Sequence, residues 1–277
     1  AALLNHSRQS FTLPVLQETA ETYLNHLYFH GNKLADTLEV DPAKAVEQVL
    51  HIYLQRKFVV PLDKKAAATE DTPRYRVQDE KRPSLEYYKN NCVACFVPAA
   101  YTALSIFERD AFQFVATDLH ASYRFLQDFF KYEFSYDLEN PPEWYVRKNI
   151  KAFINDAILI PHPNLPDTYN ITSLGFRKLK LFSGFLRSYF ESYRITLDQL
   201  ARQEKKDLNL KEQLKKIAAY GNRLAKNGEI ESNEALSRVN FRNALAFFQS
   251  RGIHCRDDEE AIERYREPIQ RYLKFLP

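Results

Sequence analysis

Three groupings in this sequence have the residue types that chemistry uses. His162 and Asp167 form a His-x4-Asp string within His162-Pro163-Asn164-Leu165-Pro166-Asp167. Such a pair can deprotonate a hydroxyl, the imidazole acting as general base while the carboxylate fixes its tautomer and orientation. Here prolines flank it and it lies between two predicted strand ends, so its context favours a polar turn. Cys92 and Cys95 make a lone Cys-x2-Cys. A zinc site needs four ligands and no second pair exists; a redox motif calls for a preceding strand and an electropositive helix N-terminus. Lying in an apolar helical run, the two are expected to be buried core cysteines. Thirdly, Arg147, Lys148 and Lys151 point away from Val146, Ile150 and Phe153 on a predicted helix over 143–157, where a DNA-binding module places its recognition residues. The turn that follows holds no Arg or Lys, so a solvated or docking face is the expectation. There is no Gly-x-Ser-x-Gly elbow, Walker loop or Gly-x-Gly-x-x-Gly, and the seven histidines are scattered. No catalytic, cofactor-binding or metal-binding residue is expected, and no cofactor.

The elements that would position these groups repeat within the chain. Residues 46–61 and 146–161 align as Val46 with Val146, Leu50 with Ile150, Tyr53 with Phe153 and Leu54 with Ile154. Then Phe58-Val59-Val60-Pro61 meets Ile158-Leu159-Ile160-Pro161. The first half of each block has helical spacing; the second is a short β-branched or aromatic run closed by proline, which reads as a strand. Each is followed by a turn-rich segment (61–73 and 161–167), a second strand (74–77 and 169–172) and a helix (from Pro83 and from Ser173). Phe58 and Ile158 are expected to be the first buried residues of their strands, with Tyr53 and Phe153 facing the core. Phe241, Leu245, Phe248 and Ile253 repeat the helical half once more, with a charged segment from Arg256 in place of the turn and second strand. Amphipathic helices are predicted over 13–30, ending at a Gly31 cap, and over the Phe- and Tyr-rich 111–134. The charge-laced 198–218 reads as a solvated helix or helical hairpin, and Trp144 is expected to pack on a neighbouring unit. The fold class is therefore mainly α: tandem winged-helix-like units with short β-hairpin wings plus amphipathic helices. Residues 1–277 form one body, with internal units near 10–90, 110–193 and 194–277.

Composition agrees with this reading. Only six glycines occur in 277 residues, too few for folds that need many left-handed turns. The 39 basic and 36 acidic residues leave a net charge of +3, too even to imply an electrostatic partner. Three cysteines argue for a reducing compartment rather than a disulfide scaffold. Asn5, His6 and Arg8 interrupt the start, so no signal peptide is expected. The sequence opens Ala-Ala and has no methionine, which reads either as a fragment or as a sequence whose methionines have been dropped. The longest uncharged run, Cys92 to Phe107, is short of a membrane span and broken by Pro98, so a helix buried in protein is expected.

Residues 85–100, Leu-Glu-Tyr-Tyr-Lys-Asn-Asn-Cys-Val-Ala-Cys-Phe-Val-Pro-Ala-Ala, resemble the segment that opens the C-terminal region of glycerol-3-phosphate acyltransferases. Tyr169-Asn-Ile-Thr-Ser-Leu-Gly175 and Phe185-Leu-Arg-Ser-Tyr-Phe-Glu-Ser-Tyr193 are similar to that family's next block, and Glu234 to Gly252 to its last. The resemblance implies a parent enzyme, close to one that uses dihydroxyacetone phosphate, moving a fatty acyl group from coenzyme A or acyl carrier protein to glycerol 3-phosphate. Its chemistry, a His-x4-Asp pair and phosphate-holding motifs, would lie upstream. The expected partners are that upstream acyltransferase domain and a membrane surface, with no nucleic acid, at the cytoplasmic side of a membrane. The alternative carried beside it is a tandem winged-helix interaction or DNA-binding protein. The chain is expected to stay in detergent-free solution. Sedimentation with liposomes of any headgroup charge, reversed only by detergent, would instead show the run from Cys92 to Phe107 inserted.

Overall fold

The structure, a computed structural model, describes residues 1–6, 9–62, 72–136, 139–204 and 208–277. It is mainly helical, with two small antiparallel sheets. The first part runs α1 (Ala2–Asn5), α2 (Leu13–Phe29), α3 (Asp36–Val40), α4 (Pro42–Gln55), β1 (Val59–Pro61), β2 (Tyr75–Val77) and α5 (Arg82–Asn90). There follow α6 (Val93–Glu108), β3 (Gln113–Val115), α7 (His120–Phe129), α8 (Pro142–Asn155), β4 (Leu159–Pro161), β5 (Thr168–Ile171) and α9 (Ser173–Ser183). The chain closes with α10 (Arg187–Leu200), α11 (Leu210–Lys226), α12 (Arg238–Ser250) and α13 (Glu259–Phe275).

The two aligned blocks fold alike through helix and strand. After α4 the backbone turns left-handed at Lys57 (φ 56°) and after α8 at Ala157 (φ 53°). The next amide then reaches back, Phe58 N–H to the Tyr53 carbonyl at 2.9 Å and Ile158 N–H to that of Phe153 at 2.8 Å. Each strand pairs with a return strand, Val59 opposite Val77 and Leu159 opposite Ile171. The first turn-rich segment falls largely on 63–71, outside the described residues. In the third block Ile253 N–H bonds the Phe248 carbonyl after Gly252 at φ 80°, so its helical half matches, but a turn and α13 follow instead of a strand. The same cap ends α2 at Gly31 and α11 at Gly228; the cap alone identifies a well-stopped helix, and the strand is what makes the first two blocks equivalent. The burial expectation needs one adjustment. Ile158 is fully buried but Phe58 is half-buried, and Val59 and Leu159 are the matched buried strand residues. Tyr53 is half-buried against the first core, whereas Phe153 is buried in the main one.

Two predicted helices are divided. Within 111–134, Asp110 in the left-handed region (φ 48°) ends α6, and Gln113-Phe114-Val115 pairs with Asn170-Tyr169-Thr168 instead of coiling. The alternation there, with only Phe114 buried, is a strand's. The second sheet therefore has the order β3-β5-β4. Within 198–218, α10 stops at Leu200 and α11 starts only at Asn209, whose side chain accepts from Glu212 N–H at 3.0 Å; the hairpin alternative is the correct one. Trp144 is 41% exposed, set edge-on to Tyr145 of its own helix instead of against another unit.

A small core of Leu3, Phe11, Leu16, Leu50, Val59, Val77 and Leu85 serves the first part, and a large one the rest. At the centre of the large core lies α6, where every side chain from Ala99 to Ile106 is fully buried. No single helix among the described residues is long and apolar enough to cross a membrane. One pair, Asp79–Asn90 with Val93–Glu108, passes together by length and composition but is bent by 89°. Its apolar half is this core helix, as expected of the run from Cys92.

Gly175 marks the closest approach among the glycines. A Cβ there would fall 2.0 Å from the Ile158 carbonyl oxygen, because the first turn of α9, capped by Thr172, lies against the end of α8. In chemical denaturation, Gly175→Ala is expected to cost about 1–3 kcal/mol through overpacking and Phe153→Ala about 3–5 kcal/mol. Exposed Lys151→Ala should stay within about 0.5 kcal/mol.

Candidate functional site

The groups that could have done chemistry are dispersed. His162 Nδ1 accepts from the N–H groups of Asn164 and Leu165 at 3.2 and 3.1 Å, and the Asp167 carboxylate accepts from Arg147 at 3.1 Å. The imidazole is thus turned into its own loop and the carboxylate is engaged elsewhere, which is the polar turn the context favoured. Of the basic face, Arg147 is held by Asp167 and the Lys148 ammonium sits 4.8 Å from the Trp144 ring centroid; nothing in this arrangement favours DNA. The core reading of the cysteines fails. Cys92 is the N-cap of α6 and half-buried, and Cys95 is exposed, while Cys255 is buried. The apolar run in which they lie enters the core only after its first turn, so both fall at the rim.

What converges is a cluster of charges that the sequence did not single out. α5 turns Leu85 into the first core and Glu86 and Lys89 to the other side, both buried, while Tyr87 and Tyr88 stay exposed. Lys89 Nζ pairs with Glu86 at 2.6 Å, and Arg82 stands 3.9 Å away. Opposite, on α10, Glu191 accepts from the backbone N–H groups of Glu231 and Ser232, each at 3.0 Å. Arg187 lies 3.5 Å from Glu191 and 3.3 Å from Glu231. Ser192 Oγ sits between the carbonyl oxygens of Ser188 and Ala235, at 2.8 and 2.7 Å. Glu234, on the short 3-10 turn 233–236, completes the set: Ser232 Oγ donates to it, and it shares a hydrogen bond with Glu86.

Arg82, Glu86, Lys89, Arg187, Ser232 and Glu234 line a cleft of about 410 Å³ between α5, α9 and α10, which also takes in Tyr23, Lys180 and Phe185. A second hollow of about 280 Å³, on the far side of α5, shares Glu86, Ser188 and Glu234 with it. A third, almost wholly apolar and about 200 Å³, lies between α2, α4 and α5, lined by Leu16, Val46, Leu50, Tyr53 and Leu85. Among the described residues no group of three or more His, Cys, Asp or Glu could hold a metal ion.

Burial, with the Glu86 carboxyl beside it, pushes Glu234 up to about 7. Burial likewise raises Glu191, opposed by its two backbone donors and Arg187. Glu133, in a separate buried network, rises to about 7 by burial although Asn243 donates to it at 2.9 Å. Cations and carboxylates are matched across the cleft, and its chemistry is that of a polar clasp: Glu86 and Lys89 come from one stretch, Arg187, Ser188, Glu191 and Ser192 from a second, and Glu234 and Ala235 from a third. These are the three stretches whose wording is similar to the acyltransferases.

Residues 1–257 match the family described as glycerol-3-phosphate acyltransferase C-terminal region, and the chain belongs to that family. No individual curated protein matches it.

Glu234 holds its proton more tightly folded than at its ordinary value of 4.5. The stabilisation tied to that proton is full below the ordinary range and is lost as pH rises toward 7. Denaturant titrations at pH 5 and pH 8 are expected to show Glu234→Gln, which keeps a donor toward Glu86, losing less stability across that interval than the wild type, by on the order of 2 kcal/mol.

Proposed function

We propose that this region performs no chemistry of its own and serves its parent glycerol-3-phosphate acyltransferase as a scaffold for the acyltransferase domain elsewhere in the same protein. The observation that carries the reading is the polar clasp. The three stretches that mark the family keep their buried charges paired, Glu86 with Lys89 and Glu191 with Arg187, and they are linked by Glu86 with Glu234 and Ser192 with Ala235, which fixes α5 and α10 against the turn before α12. A site for a reacting hydroxyl and a thioester would instead keep a base and oxyanion donors free.

The parent enzyme takes acyl-CoA or acyl carrier protein and glycerol 3-phosphate, at the cytoplasmic side of a membrane to which it is peripherally bound. The region's partners are the upstream domain and the membrane surface, not nucleic acid. It shapes access for the acyl donor, a role for which the apolar hollow between α2, α4 and α5 is suited. Its architecture is read as tandem winged-helix-like units near 10–90 and 110–193 and a helical unit over 194–277. The order β3-β5-β4, with β3 between α6 and α7 and the β4–β5 hairpin after α8, supports this for the second unit. That unit's first helix is α6, so it begins near residue 93.

Purified 1–277, assayed with an acyl donor and glycerol 3-phosphate, is expected to give no turnover. Turnover abolished by His162→Ala would place an active site here and overturn the reading. In the parent enzyme, Glu191→Ala should lower thermal stability and activity together; full activity after deletion of the whole region would refute a scaffold role.

A further inference from the structure

The two cysteines displaced from the core occupy one turn at the N-terminal end of α6. Cys95 N–H donates to the Cys92 carbonyl at 3.1 Å, and residues three apart on such a turn have Cα atoms about 5 Å apart by helix geometry. That is within the range of about 4.4–6.8 Å that a disulfide spans. Both are free thiols, one half-buried and one exposed, whereas Cys255 is fully buried. Their present partners are weak: Cys92 Sγ donates to the Lys89 carbonyl at 3.2 Å, and Cys95 Sγ lies 3.8 Å from Asn32 Oδ1.

We propose that Cys92 and Cys95 form a thiol-modification site that closes to a disulfide by exchange with a low-molecular-weight disulfide such as oxidised glutathione. The exposed Cys95 thiolate attacks one sulfur of that disulfide; a new S–S bond forms, the old one breaks, and one small thiol leaves. Cys92 then gives its proton to solvent and attacks the Cys95 sulfur, releasing the second small thiol. Two protein thiols are oxidised and one external disulfide is reduced to two thiols. Burial raises the Cys92 thiol, which suits it to the second, resolving step. Closing the bond takes the Cys92 S–H from the Lys89 carbonyl, at the end of α5.

The test incubates the purified 277-residue chain in oxidised and in reduced glutathione, then alkylates it under denaturing conditions for peptide mass spectrometry. The expected result is loss of two of the three alkylations, a 92–95 peptide about 2 Da lighter than its reduced form, and reversal by dithiothreitol. Cys95→Ser should abolish the intrachain bond. A glutathione adduct that persists on Cys95, a bond joining two chains, or three free thiols after oxidation would each overturn the proposal.

Discussion

The large core of this protein is arranged around one helix whose middle, from Ala99 to Ile106, is fully buried. α6 is apolar on every face between Phe96 and Phe107, and such a helix is stable only when protein covers it completely. α7, α8, α9 and α13 pack against it, with Phe96 stacked on Phe185 at 5.0 Å and Tyr101 on Phe130 at 6.2 Å. Pro98 lies within it as its sixth residue, where it removes one bond to the preceding turn, and Thr102 Oγ1 donates to the Pro98 carbonyl, 2.8 Å away. The demand that α6 be enclosed explains why an otherwise charge-balanced chain devotes so much aromatic surface to its middle, and why α5 must meet α6 at a sharp bend: α5 has polar faces and cannot follow it inward.

That bend puts a different kind of force beside the core. The clasp joins both α5 and α10 to the turn before α12 through charges that are largely out of water. Buried ion pairs of this sort return little net stability, because desolvation offsets most of their attraction, but losing one partner leaves a charge that cannot be accommodated. Their value here is positional. Apolar packing tolerates small slips, whereas the paired backbone donors on Glu191 fix one register. The scaffold role proposed above needs this more than it needs extra stability.

Much of the architecture could be read from residue order, and the failures have physical causes. The helix-strand repeat was visible because helical spacing, a β-branched run and a proline recur at fixed offsets in two places. The third copy misled only where its strand should begin. β3 went unseen because three residues of alternating exposure inside an aromatic-rich stretch fit a helical pattern equally well; pairing with β5, distant in sequence, decides the matter. Cys92 and Cys95 were misplaced because an apolar run says nothing about which of its turns is outermost. The clasp was hidden for a deeper reason. Its carboxylates and cations are ordinary surface residues in sequence, spread from Arg82 to Glu234, and only the enclosure of α6 brings them together. Family wording pointed at the right stretches without disclosing that they touch.

The prolines that close β1 and β4 have a significance beyond stopping strands. β4 lies at the outside of its sheet, and β1 has only β2 beside it, while the other side of β2 is met by Phe11. An open strand edge is an invitation to another chain, since its unpaired amides can accept a further strand. Pro61 and Pro161 have no amide hydrogen to offer at those edges, and proline is among the residues by which natural sheets blunt such pairing. With Ile160 half in solvent just before Pro161, a longer and fully hydrogen-bonding β4 would expose an apolar ribbon. The repeated proline thus leaves each outer strand one amide short of a bondable edge.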